Sequence, residues 1–200
     1  MVRNITVVPE VSKLGISEAV DYDKYYLYFL ITHSTAIEGS TLTELDTQLL
    51  FDKGVTAKGK PLVHHLMNED LKQAYEFAKA ESDRLVPITP IFLKRLNAML
   101  MRTTNSIACV GLLLVLAGIL ILNYLKVPAK VDELCTILQE NQKSVGTFRE
   151  QYGLSFNAHL NLVTIHLWMD GNGRTARLLI NYIQFCYHLF PTKIYKEDRE

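Results

Sequence analysis

The chain has 200 residues with 21 basic and 21 acidic side chains, and 48% of its residues are hydrophobic. This composition favours a single folded domain over residues 1–200 and argues against extensive disorder. Because the charges balance, we expect no nucleic-acid binding through this domain. The cysteines are three and scattered, Cys109, Cys135 and Cys186, which argues against a disulfide framework and favours the cytoplasm. The N-terminus has no apolar signal-peptide core.

Helix signals dominate the first quarter of the chain. Ser17 is a suitable N-cap for a helix that Gly39 would end, so a helix is predicted over about residues 17–39. Thr41 followed by Glu44 is a capping-box pattern, and Gly54 would stop the helix that it starts. Both segments therefore predict helices.

The remaining segments also favour helices. Apolar spacing predicts one over residues 64–84, and Thr89-Pro90 places a cap and an N1 proline before another. Pro128 opens the next segment. Residues 155–168 predict a largely buried helix, and residues 174–190 another that ends near Pro191. The fold class predicted is all-α.

One segment departs from this pattern. Thr103 to Leu125 carries no charge, and Ile107 to Leu122 is almost wholly apolar. A membrane-spanning helix needs about 20 such residues, so the run is marginal for that role. Two β-rich arms around Ala117-Gly118 would instead form a hairpin. The residues alone leave both interpretations open.

A polar stretch, HLWMDGNGRTAR at residues 166–177, lies between two apolar helices. His166 comes at the end of the first helix, and the turn-forming run at residues 170–173 would break it. Arg174 and Arg177 begin the next helix on a common face. A helix N-terminus binds anions through its free N–H groups and its dipole.

The side chains in this stretch suit nucleotide chemistry. Glycines let the backbone approach an anion closely, and arginines add charge-assisted donors that match phosphate. Asp170 could hold Mg²⁺, and His166 could accept a proton from an attacking hydroxyl. Each feature alone is more often structural, but their combination in one loop indicates a site. The pattern is neither an EF-hand nor a P-loop.

The stretch resembles the signature of the Fic (Fido) family, H-P-F-x-[D/E]-G-N-G-R-x-x-R. Its histidine, acid, glycines, asparagine and arginines are in register; Leu167 and Trp168 depart from the family's Pro and Phe. A second stretch, STAIEG from Ser34 to Gly39, resembles the family's inhibitory motif [S/T]-x-x-x-E-[G/N]. The resemblance covers most of residues 17–200.

The resemblance implies a Fic-type helical domain with a small β-hairpin flap at about residues 103–125 and an inhibitory helix at about 17–39. Fic proteins mostly transfer AMP from ATP to a Ser, Thr or Tyr hydroxyl of a target protein and release pyrophosphate. His166 would be the base, and Asp170 would bind Mg²⁺. The flap would hold the target protein. A C-terminal module is expected to be absent, and a homo-oligomer stays open.

The same resemblance implies which residues would hold each phosphate of ATP. Gly171 to Gly173, with Asn172, would hold the α-phosphate, and Arg174 and Arg177 the β- and γ-phosphates. Arg177 would also pair with the inhibitory Glu38, so that the γ-phosphate could not seat productively. We expect no membrane attachment, although the unusually apolar flap leaves a membrane contact or a departure from the native sequence as alternatives. A catalytically silent interaction module, AMP removal or another phosphotransfer are the alternative functions.

Overall fold

The computed structural model describes residues 21–104 and 126–198, which form α-helices and no strand. The helices are α1 Tyr22–Ile37, α2 Glu44–Lys53, α3 Leu62–Asp83, α4 Pro90–Leu100, α5 Val127–Ser144, α6 Phe148–Ile165 and α7 Asn172–Cys186, followed by a 3₁₀ helix, Lys196–Asp198. The all-α prediction is confirmed for these ranges. The predicted flap lies outside the described residues, apart from Thr103 and Thr104 in a turn after α4.

The central helix of the fold is α7, which packs against α3, α4 and α6 and also contacts α1. Its apolar side chains are almost completely buried, among them Leu179, Tyr182 and Ile183. The helix ends at Cys186, earlier than the predicted end near Pro191. Because neighbouring helices enclose α7, its N-terminus is held in a fixed place, and this is where the polar stretch begins.

The N-caps of α1 and α2 differ from the sequence prediction. The cap of α2 is Thr43, which forms a capping box with Asp46 rather than the predicted box of Thr41 and Glu44. Thr41 precedes the helix, and its N–H donates to Nδ1 of His64 at 3.2 Å. The N-cap of α1 is Asp21, whose side chain accepts from the N–H of Lys24, so α1 begins at Tyr22. The predicted cap, Ser17, lies outside the described residues.

The start of α4 is confirmed, because the Thr89 side chain accepts from the N–H of Phe92 and Pro90 occupies the first turn. Helix α6 begins earlier than predicted, at a capping box of Thr147 and Glu150. It was predicted to be largely buried, but only one face is. The opposite face exposes Phe156, Leu160 and Val163.

No helix in the described ranges has the length and apolar character needed to cross a bilayer.

Candidate nucleotide site at the N-terminus of α7

The loop between α6 and α7 starts at His166. This residue ends α6 with φ 52° and ψ 60°, a left-handed conformation in which its N–H still donates to the carbonyl of Leu162. A non-glycine residue in this region costs about 1–3 kcal/mol and is more frequent at functional sites than elsewhere. The imidazole is exposed. The strained turn therefore presents a proton acceptor at the surface beside the loop.

Asn172 holds the loop closed. Its Oδ1 accepts from the N–H of Trp168 at 2.9 Å, and its Nδ2 donates to the carbonyl of the same residue at 2.5 Å. Trp168 is itself buried in the core. Since both ends of the amide are used within the loop, the Asn172 side chain acts as a brace. The backbone N–H of Asn172 stays available for the expected role as a phosphate ligand, which remains a prediction.

The N-terminus of α7 is formed by Gly171, which has φ 79°. The first helical bond runs from the N–H of Thr175 to the carbonyl of Gly171 at 2.8 Å. The N–H groups of residues 172–174 precede that bond, so helix geometry gives them no acceptor in the helix. These donors, together with the helix dipole, make a site for an anion.

Asp170 and Arg174 form an ion pair of unequal exposure. The distance from Nη2 of Arg174 to Oδ1 of Asp170 is 3.3 Å, and the side chains are 3% and 52% exposed respectively. Nη2 of Arg174 also contacts Sδ of Met101 at 3.1 Å. Nε and Nη1 of Arg174 are buried and have no hydrogen-bond partner within the described residues. The arginine is thus a buried cation directed away from solvent, whereas its partner carboxylate is accessible.

Arg177 contacts α1 instead. Its Nε donates to Oγ of Ser34 at 2.9 Å, and its Nη2 donates to the carbonyl of Ser34 at 3.0 Å and to Oε1 of Glu38 at 2.5 Å. The Arg177 and Glu38 side chains are 12% and 27% exposed. The structure therefore brings together the two residues that the resemblance paired, although 139 positions separate them in the sequence.

Glu38 lies directly over the anion site. It caps the end of α1, and the positive φ of Gly39, 97°, turns the chain away immediately afterwards. A Cβ placed on Gly173 would lie 2.7 Å from Oε1 of Glu38 and 3.0 Å from Nη1 of Arg177. The carboxylate thus occupies the space above the first turn of α7, where an anionic ligand would approach the N–H groups.

Comparison with known proteins finds relatives of this chain. A family model described as the Fic/DOC family matches residues 87–184, which include the whole polar stretch. The chain thus contains a region of the Fic/DOC family, residues 87–184. The inhibitory-type motif, Ser34 to Gly39, lies before the part that the Fic model matches.

Curated relatives named protein adenylyltransferase Fic cover more of the chain. The protein of Drosophila erecta is 26% identical over 178 residues, 84% of this chain and 34% of the relative. That of Drosophila persimilis is 27% identical over 194 residues, 92% of this chain and 36% of the relative. The chain therefore spans about a third of the length of these relatives.

Solved structures share the fold. A Fic domain containing signaling protein from Bacteroides thetaiotaomicron has a TM-score of 0.76 and 27% identity, and the match covers 88% of this chain and 68% of the other. Fic-1 from C. elegans has a TM-score of 0.73 over 88% of this chain and 52% of its own, but at 22% identity it supports the fold alone.

Two residues at the Fic motif were not found from the sequence. Asn97 lies in α4 and Met101 is the C-cap of that helix, and both contact the loop. Nδ2 of Asn97 donates to the carbonyl of Asp170 at 3.2 Å, and Sδ of Met101 accepts from Nη2 of Arg174. Each lies 73 positions before the motif residue that it contacts, and nothing in their local pattern separates them from ordinary core residues. Only the packing of α4 on α7 identifies them.

A cavity of about 710 Å³ lies elsewhere in the Fic domain, between α1, α3 and the segment after α7, and is lined in part by Tyr26, Tyr75 and Phe190. None of the motif residues lines it. This cavity is therefore separate from the candidate nucleotide site. Glu38 and Arg177 instead fill the space next to Gly173 in the first turn of α7.

Proposed function

We propose that this Fic domain is a protein adenylyltransferase held in an inhibited state by Glu38. The substrate is ATP, and the acceptor is a Ser, Thr or Tyr hydroxyl of a target protein. The observation that carries the proposal is the Glu38–Arg177 contact at 2.5 Å above the N-terminus of α7. A carboxylate on an anion site next to a motif arginine is what an enzyme regulated at its phosphate site requires.

In the proposed reaction the hydroxyl oxygen attacks the α-phosphorus of ATP. A bond forms between these two atoms, the bond from the α-phosphorus to the bridging oxygen breaks, and pyrophosphate leaves. His166 accepts the hydroxyl proton, a role that its exposed position at the loop start permits. The N–H groups of Asn172 and Gly173 hold the α-phosphate as its charge develops.

The two arginines bind the remaining phosphates after Glu38 has moved. Arg177 is already partly exposed and would exchange a carboxylate for a phosphate with little rearrangement. Arg174 is buried and faces α4, so it would have to turn or act through its charge alone. Arg177 is therefore the stronger candidate for direct phosphate contact.

Asp170 fits the magnesium ion that accompanies ATP. Its carboxylate is 52% exposed. Magnesium is commonly held by one or two carboxylates together with substrate phosphates and water. The described ranges hold no group of three or more His, Cys, Asp or Glu side chains that would form a complete protein cage. When bound, the ion would neutralise phosphate charge.

The proposal is tested with ATP labelled at the α-phosphate. The wild-type chain, Glu38→Gly and Glu38→Gly combined with His166→Ala would be incubated with Mg²⁺, and label on protein would be measured. We expect strong labelling by Glu38→Gly, weak labelling by the wild type, and a loss of about 10²–10⁴-fold on removing the base. Nucleotide binding should survive His166→Ala, because His166 does not hold phosphate.

Absence of labelling by all three proteins, with ATP still bound, would instead favour a silent Fic-fold interaction module. Loss of label from a modified protein on adding the wild type would favour AMP removal. The target protein, its approach through the segment after Thr104, a homo-oligomer and a cytoplasmic location stay as proposals. The last rests on the small, scattered set of cysteines.

A further inference from the structure

Asn97 is a fully buried polar residue of α4 that contacts the loop between α6 and α7. Its Nδ2 donates to the backbone carbonyl of Asp170 at 3.2 Å and to Oγ1 of Thr175 at 3.2 Å. One acceptor is in the loop and the other is in the first turn of α7. A single amide group thus ties the loop to the helix that follows it.

Gly171 shows how closely Asn97 fits. A Cβ added to Gly171 would lie 2.6 Å from Nδ2 of Asn97, closer than any side chain tolerates. The same Cβ would lie 3.0 Å from Sδ of Met101, one turn later on α4. The side chains of α4 therefore lie directly against the Asp170–Gly171 peptide, and a glycine is required there by contact as well as by its positive φ.

The Asp170–Gly171 peptide is held at both of its polar ends. Asn97 donates to its carbonyl, and Oδ1 of Asp170 accepts from its N–H at 2.5 Å. Rotation of this peptide would turn the Asp170 carboxylate and shift the start of α7. Oδ1 of Asn97 is buried without a hydrogen-bond partner within the described residues. Burying an amide that is only half satisfied is unfavourable, so a role in holding the loop gives a reason for it.

We infer that Asn97 is a positioning residue, which sets the direction of the Asp170 carboxylate and of the first N–H groups of α7. It contacts neither nucleotide nor metal and acts through the Asp170–Gly171 peptide. The part of this inference that concerns Mg²⁺ and ATP rests on the proposed function. The part that concerns the loop does not, and the two can be tested separately.

The first test is hydrogen exchange on the ligand-free protein, in the Glu38→Gly background. Asn97→Ala removes the donor, and Asn97→Asp keeps the shape while removing it. Thr175→Val is the matched control, because it removes only the other acceptor of the same amide. We expect Gly171 to exchange at least tenfold faster in both Asn97 variants, with α3 unchanged, and less than twofold faster in Thr175→Val.

The second test is calorimetric ATP binding by the same proteins in Mg²⁺ and in EDTA. Asn97→Ala should weaken ATP binding in Mg²⁺ at least fivefold more than in EDTA, whereas Thr175→Val should keep the Mg²⁺-dependent gain in affinity. A merely structural residue would weaken both affinities together.

Three outcomes would overturn the inference: unchanged exchange at Gly171 in Asn97→Ala, equal acceleration in Thr175→Val, or an intact Mg²⁺ gain. If Glu38→Gly itself bound no ATP, the proposed function would fail, and the exchange experiment alone would decide the role of Asn97. Should Asn97→Asp fail to fold, Asn97→Ala carries both tests.

Discussion

The two arginines of the Fic motif leave α7 on different sides of one phosphate site. Arg174 faces α4, where its head group is 3% exposed and contacts Met101 and Asp170. Arg177 faces α1, where Ser34 and Glu38 accept its hydrogen bonds and solvent reaches both charged partners. The two arginines are three positions apart, yet Arg174 is enclosed by packed side chains, whereas Arg177 is held by an ion pair and hydrogen bonds.

This difference indicates how the site can be rigid and regulated at once. The α4 side, formed by Asn97, Met101 and Arg174, is buried among core residues, so its geometry changes only if the core does. The α1 side depends on one ion pair and on Ser34, and a partly exposed pair exchanges partners at modest cost. We therefore expect a side chain added against the α4 side to lower stability strongly, and changes at the Glu38–Arg177 pair on the α1 side to alter mainly activity.

The largest effect is expected at Arg177, because this residue serves both the inhibitor and the substrate. Glu38→Gly should raise AMP transfer, whereas Arg177→Ala should lower it by about 10²-fold relative to Glu38→Gly, as loss of a phosphate-holding group does. The double variant should match Arg177→Ala. Initial rates with labelled ATP at saturation measure this. A double variant as active as Glu38→Gly would show that Arg177 is needed for inhibition only.

Alanine substitutions at the two glycines that flank Asn172 test this comparison through the free energy of unfolding. Gly171→Ala should destabilise the fold by about 3 kcal/mol, since alanine is strained at φ 79° and its Cβ meets buried Asn97. Gly173→Ala should change stability by less than about 1 kcal/mol, because helix propensity favours it and only the movable tips of Glu38 and Arg177 obstruct it.

Urea unfolding of both glycine variants measures the difference. Gly173→Ala should in addition displace the Glu38 carboxylate, because its Cβ would lie 2.7 Å from Oε1 of that residue. Equal destabilisation by the two substitutions would mean that the α1 side is as rigid as the α4 side.

The helices and the motif were predictable because they depend on local patterns. The cap at Thr89 and the stop at Gly54 follow from neighbouring residues and are present in the structure. A break before α7 was also predictable, but it spans residues 166–171 rather than 170–173, because Asn172 and Gly173 are already helical. The capping box of Thr147 and Glu150 could also have been found, since its spacing is visible in the sequence. The Thr41 cap was wrong because two capping-box patterns overlap, Thr41 with Glu44 and Thr43 with Asp46. Nothing in the sequence alone decides between them.

The long-range contacts were predictable only where a resemblance supplied them. Glu38 and Arg177 were paired on that basis, and no local pattern would have joined them. Asn97 bonds to the carbonyl of Asp170, 73 positions away, and carries no such clue. The bonds of the Asn172 side chain to Trp168 were not predicted, because a turn-forming asparagine gives no local clue to its partner; its phosphate-binding role stays a prediction.

The next effect concerns the buried cation. Arg174→Met should leave stability unchanged or raise it by about 1 kcal/mol, because it removes buried N–H groups without partners and leaves Asp170 in solvent. Arg177→Met should cost about 1 kcal/mol, since it leaves the buried carbonyl of Ser34 without this donor. Thermal unfolding without nucleotide compares them. A strongly destabilised Arg174→Met would show that its contact with Met101 and Asp170 holds the loop.

The smallest effect is expected from salt. Since the Glu38–Arg177 pair is partly exposed, raising NaCl from about 0.05 M to 0.5 M should weaken inhibition by a few tenths of a kcal/mol. The ratio of Glu38→Gly activity to wild-type activity should therefore fall by about twofold, and taking the ratio cancels the effect of salt on ATP binding itself. The measurement is the initial labelling rate of both proteins across the salt range at saturating ATP. A ratio that stays constant or rises with salt would mean that the α1 side is held by packing, as the α4 side is, and that charge does not distinguish the two.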